Sequence, residues 1–149
     1  MRTKMEEKTA EAISAIRKYD IMLEIVANTE EKIKAVSDRL AAPQSVKLDG
    51  MPRSRNPHAG ESVLAAGIDL MNSMEERCRE AHIFLLWFEP MWKALSDKER
   101  EALETYKYSD RYNGEMERYA KEQYISLRQA HRIRRKALER LCALLFGCL

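Results

Sequence analysis

From about Lys4 to Leu40 neither proline nor glycine interrupts the chain, and apolar residues return at Ala12, Ile16, Tyr19, Leu23, Val26, Ile33 and Leu40. Alternate steps of three and four residues, with polar lapses at Glu30 and Ser37, keep these positions on one side of a helix with 3.6 residues per turn. A helix this long, roughly 50 Å at 1.5 Å per residue, carries an apolar stripe that needs a partner to cover it. Residues 42–60 break the pattern with Pro43, Gly50, Pro52, Pro57 and Gly60, and read as a loop. The stripe then resumes at Leu64, Gly67, Met71, Met74, Cys78, Ala81, Leu85 and Phe88. Two such helices on one loop most simply pair antiparallel, with the small residues Gly67 and Ala81 allowing close approach.

The rest of the chain is shorter-ranged. Phe84, Trp87, Phe88 and Trp92 crowd the end of the second helix as a hydrophobic joint, and Pro90 should kink the chain or restart it there. Ser96-Asp97-Lys98-Glu99 is a capping box, in which Ser96 accepts the Glu99 amide and the Glu99 carboxylate returns to the Ser96 amide. The helix it opens is expected to run to about Tyr108 with Leu103 and Tyr106 inward. Ser109 to Gly114 reads as a turn, with Asn113 capping a short helix from Glu115 to about Gln123. Ser126 caps a last helix that buries Ala130, Ile133, Ala137, Leu138, Leu141 and Leu144. With 34% charged residues, five glycines and four prolines in 149 residues, the fold class is all-α. The expected domains are a helical hairpin arm over residues 1–94, with loop 42–60, and a C-terminal helix-turn-helix over 95–149.

Charge is localised rather than large. The net charge is only +2, yet residues 126–149 hold six Lys/Arg (Arg128, Arg132, Arg134, Arg135, Lys136 and Arg140) against one acid, Glu139. Clustering of this kind marks an electrostatic footprint for phosphate. Removing the buried stripe of the last helix leaves Arg128, Gln129, His131, Arg132, Arg135 and Lys136 on its outer face, with Ser126 at its start. The major groove admits a helix, and arginine or glutamine there can form paired hydrogen bonds to guanine or adenine edges. Arg140, more than two turns further on, would reach only backbone. A solvated charged face is the plain alternative, but this run lacks the alternating acids that usually balance one.

The stretches LSDKEREALETYKY and MERYAKEQYISLRQAHRIRRKALERL resemble region 4 of sigma-70 factors, through Ala120, Ile125, Ser126, Ile133, Lys136, Ala137, Leu138 and Leu141. The N-terminal two thirds is similar to small phage and prophage proteins that join a helical part to such a tail. Many of these carry a Gly-Met-Pro-Arg loop, here Gly50-Met51-Pro52-Arg53, and ArpU- and RinA-type regulators of phage late genes are a looser comparison. The resemblance implies a phage-derived transcription regulator that binds duplex DNA in a sequence-specific way and meets host RNA polymerase as region 4 does. Two positions depart from the pattern: Gln123 replaces an apolar residue, and Tyr124 replaces the small residue, often glycine, that makes the turn. A tyrosine held there at positive φ is strained.

Walker, GxGxxG, GxSxG and HExxH signatures are missing, so neither catalysis nor a cofactor is expected. Cys78 and His82 stand one helical turn apart, but no second pair completes a tetrahedral metal site, and Cys78 fits better as a seam residue. Lys47, Arg53 and Arg55, beside Asp49, make the loop basic; an exposed loop kept soluble by its charge is preferred to an auxiliary phosphate contact. Three cysteines without CxxC spacing, a charged start lacking the apolar core of a signal peptide, and the shortness of every apolar run point to the cytoplasm, with no membrane partner. The expected partners are double-stranded DNA, RNA polymerase and a second copy through the helical arm. A small terminase-like DNA-packaging protein, which also joins a helix-turn-helix to helical oligomerisation segments, is the competing expectation, and a purely structural helical protein is a third.

Overall fold

The computed structural model describes residues 3–42, 58–108 and 114–147. Every regular element among them is helical, which bears out the all-α class. In chain order these are α1 (Lys4–Ala41), α2 (Ala59–Ala94), α3 (Asp97–Glu104), one 3-10 turn (Thr105–Lys107), α4 (Gly114–Glu122) and α5 (Leu127–Phe146). None of these helices is long and apolar enough to cross a membrane. The Gly50–Arg53 loop, Lys47, Asp49, Arg55 and the expected cap Asn113 lie outside the described residues.

Two local expectations change. The helix α2 runs on through Pro90, so the chain does not restart there. Proline removes the N–H that would bond the Leu86 carbonyl, and Leu86 is 78% exposed, so the lost bond lies on the solvent side of α2. Conversely, α3 stops at Glu104, short of Tyr108. The buried Thr105 hydroxyl donates to the Ala102 carbonyl at 2.7 Å, a local bond that competes with the helical ladder, and the chain tightens into the 3-10 turn.

Packing divides the chain into two compact units: Met1–Met22 with Ile83–Leu149, and Leu23–His82. The sequence suggested a division after residue 94, whereas these units divide within α1 and α2. In the first unit, Ala12, Ala15 and Ile16 of α1 share one core with Phe88, Trp92, Leu95, Leu103, Leu138, Leu141 and Cys142. Phe88 is fully buried; it stacks on Phe84 at 5.4 Å and on Trp92 at 5.6 Å, with Tyr19 tilted against it at 5.2 Å. Each fully buried side chain of this size contributes about 1.5–3 kcal/mol. Burial raises the Tyr19 hydroxyl pKa above its ordinary value, and nearby Glu89 adds to the shift. Arg17 donates from Nε to the Tyr106 carbonyl at 2.8 Å and Lys107 pairs with Asp20 at 2.8 Å, so the start of α1 is also fastened to the turn after α3. A second cluster, formed by Ala102, Met116, Tyr119, Ala120 and Ala130 with Ile125 and Ile133 against it, joins α3, α4 and α5.

In the second unit the stripe of α1 is offset from the expected one. Thr29 is buried and Val36 half-buried, whereas Leu23, Glu30 and Ser37 are exposed. The steps are therefore three-then-four (Val26, Thr29, Ile33, Val36, Leu40), and the apparent polar lapses belong to the solvent side. Thr29 is tolerated because its hydroxyl donates to the Ile25 carbonyl one turn back. On α2, Gly67, Met71, Met74 and Cys78 are half-buried as expected, while Leu64 is exposed. A Cβ built on Gly67 would lie 2.6 Å from a Leu40 methyl, so α1 approaches α2 closely at the glycine.

Candidate nucleic-acid interface

Two capping boxes set the frame of this region. Ser96 accepts the Glu99 amide and its own amide donates to the Glu99 carboxylate at 2.8 Å, which starts α3. Ser126 accepts the Gln129 amide at 3.2 Å while the Ser126 amide donates to Gln129 Oε1 at 3.1 Å, which starts α5. Each cap satisfies amides that a helix start leaves unpaired.

Between α4 and α5 the backbone reverses through a Schellman motif. The Ile125 amide donates to the Ala120 carbonyl at 3.0 Å and the Tyr124 amide to the Lys121 carbonyl at 3.2 Å. Tyr124 takes the left-handed position this motif requires, with φ of 56°. Ala120 is buried and Ile125 packs on the same cluster, so the joint is held from within. Gln123 donates to Glu101 of α3 at 3.1 Å, the use its polar side chain finds where an apolar one was expected.

The six basic residues of the C-terminal segment fall into two groups. Arg140 donates to both oxygens of Glu99, at 2.8 and 3.0 Å, and ties α5 to the start of α3. Arg134 lies 4.3 Å over the Tyr106 ring and donates to Thr105 Oγ1 at 3.4 Å. Both are therefore fastening groups, and Arg140 is not the loose backbone contact expected from the sequence. Arg128, Arg132, Arg135 and Lys136 are exposed, and none of them makes an ion pair among the described residues. Successive positions at 128, 132 and 136 rise along one side of α5.

Arg128, Arg132 and Arg135, with exposed Leu127 and half-buried His131, border a concavity of about 800 Å3 at the start of α5. Sequence reasoning missed Leu127, which is 37% exposed at the first helical position. Glu139 follows on the same face and ends the basic stripe. On the side of α3 and α4, Glu101, Glu104, Glu115 and Glu122, the last two paired with Arg118, border a recess of about 290 Å3. An anion is thus favoured along α5 and disfavoured across α3 and α4.

Of the seven residues singled out from the sequence, Arg128, His131, Arg132, Arg135 and Lys136 share this face, while Ser126 and Gln129 are occupied with each other. Gln129 Oε1 already accepts from the Ser126 amide and hydroxyl, so a bidentate adenine contact by Gln129 competes with the cap. The pairing of Arg140 with Glu99 had no local signal: it depends on where α5 crosses α3. Burial pushes the Glu99 carboxyl up, but the Ser96 amide and the Arg140 guanidinium outweigh it, leaving Glu99 below its ordinary pKa.

Comparisons of this chain with protein-family models, with curated proteins and with solved structures found no match.

Proposed function

We propose that this protein is a sequence-specific double-stranded DNA-binding transcription regulator. In this reading α4, the reversal at Tyr124 and α5 form a helix-turn-helix similar to region 4 of sigma-70 factors, with α5 entering the major groove by its first turns. The observation that carries the reading is the sorting of the basic residues. Arg134 and Arg140 are spent on α3 and the turn after it, while Arg128, Arg132, Arg135 and Lys136 stand exposed on one face without acidic partners among the described residues. A face that served only solubility gains nothing from such segregation, whereas a polyanion does.

The roles divide by chemistry. Arg128 and Arg132, near the helix start, suit paired donation to guanine O6 and N7, and Leu127 offers an apolar surface to a thymine methyl. Arg135 and Lys136 suit phosphate, which fixes register without reading sequence. Ser126 and Gln129 act by holding the start of α5.

In this reading the arm is the pairing of α1 with α2 within the Leu23–His82 unit. Within one unit Tyr19 lies on Phe88, and within the other Leu40 lies against Gly67. The arm would carry contacts to a second copy or to RNA polymerase. Selection of bound duplexes from a random pool tests the function: a recurrent motif lost on Arg128→Ala supports it, and recovery of random sequence refutes it.

A further inference from the structure

The two described residues with positive φ sit at the ends of neighbouring helices. Gly147 (φ 64°) closes α5, its amide donating to the Ala143 carbonyl at 2.9 Å, and Tyr124 (φ 56°) closes α4. The backbone demand is the same, but only one end uses the residue that meets it without a steric cost. Tyr124 returns nothing to the fold: it is 96% exposed, and its side chain makes no hydrogen bond or ring contact among the described residues. A strained residue whose side chain points wholly into solvent is better explained by something outside the chain.

Position and chemistry name that something. Tyr124 precedes the Ser126 cap by two residues and Arg128 by four, so it stands in the turn that leads into the basic stripe of α5. We infer that Tyr124 is a phosphate-contacting residue of the DNA interface, its hydroxyl donating to a backbone oxygen beside the groove that α5 enters. The inference rests on the DNA-binding reading and deepens it. A phenol suits such a position, because it donates one hydrogen bond to phosphate, carries no sequence information and displaces no counterion. Placed ahead of the base-reading residues, this contact would set how far along the groove α5 starts to read.

Two substitutions in the full chain isolate the contact. Tyr124→Phe keeps the ring and removes only the hydroxyl, and Tyr124→Asn removes the ring while keeping a residue that tolerates the left-handed conformation. Fluorescence anisotropy with a short random-sequence DNA duplex, repeated over a range of salt concentrations, provides the readout, with Arg135→Ala as the reference. Both tyrosine variants should bind roughly ten-fold or more weakly, the loss expected of a hydrogen bond to a charged group. Their slope of log affinity against log salt should match wild type, while Arg135→Ala lowers it. Binding of both variants at wild-type strength, with Arg135→Ala weakened, overturns the tyrosine contact and leaves the DNA reading standing. If the wild-type protein does not bind the duplex at all, both fall together.

Discussion

Tyr124→Gly should make the protein more stable, an unusual direction for removing an aromatic ring. An L-residue held in the left-handed region costs about 1–2 kcal/mol, which glycine avoids. Tyr124 is 96% exposed, so deleting the ring forfeits almost no burial. Against this stands the greater backbone freedom of glycine in the unfolded chain, about 0.5–1 kcal/mol. The net gain is about 0.5–1 kcal/mol, or about 2–6 °C in Tm for a folding unit of this size. Thermal unfolding followed by far-ultraviolet circular dichroism measures it. Tyr124→Ala is the control: it keeps a Cβ, hence the strain, and should show no such gain. A Tm for Tyr124→Gly at or below wild type would refute the argument, because it would mean that the ring stabilises the fold or that the left-handed turn is not kept.

Further outcomes follow from the same contacts. Glu99 is held below its ordinary pKa, so its contribution to stability is complete above the ordinary carboxylate range and is lost as pH falls through the lower folded value. Glu99→Gln should flatten that acid-side loss in pH-dependent thermal melts, and an unchanged profile would count against the pairing. Arg140→Ala should destabilise by up to about 1 kcal/mol, the pair being partly exposed, with DNA affinity changing little; a large affinity loss in a stably folded variant would return Arg140 to the interface. With the native cysteines replaced, Leu40→Cys with Gly67→Cys should form a disulfide within one chain, since the Gly67 Cβ position lies 3.0 Å from Leu40 Cγ. Crosslinks found only between chains would instead indicate a swapped pair.

Much of the fold was legible because its signals are local. Ser96 with Glu99 and Ser126 with Gln129 mark helix starts within four residues, and the half-buried to buried run from Gly67 to Phe88 on α2 follows directly from spacing. The stripe of α1 was legible only to within one residue. Steps of four-then-three through Glu30 and of three-then-four through Thr29 differ by a single polar residue, and only the identity of the covering surface decides between them. Contacts that span the chain left no sequence trace. Cys142 Sγ lies 4.0 Å from the Lys8 carbonyl, and Arg17 bonds the Tyr106 carbonyl, so the first turns of α1 belong with the C-terminal helices and not with an arm that ends at residue 94. The same holds at the candidate site. Composition counted six basic residues, but which of them remain available depends on the crossing of α5 with α3, which removes Arg134 and Arg140. The strained turn was foreseeable, since Tyr124 occupies the place where a small residue is expected; that its ring would be almost wholly exposed was not.

In the proposed function the start of α5 reads base edges, not charge alone. The most direct test compares Arg128→Ala with wild type on two duplexes, the best sequence recovered by selection and a random one, at fixed salt. A lost bidentate base contact predicts a penalty of about 1–3 kcal/mol on the selected duplex and a clearly smaller one on the random duplex. Equal losses on both would contradict base reading and leave α5 a nonspecific polycation.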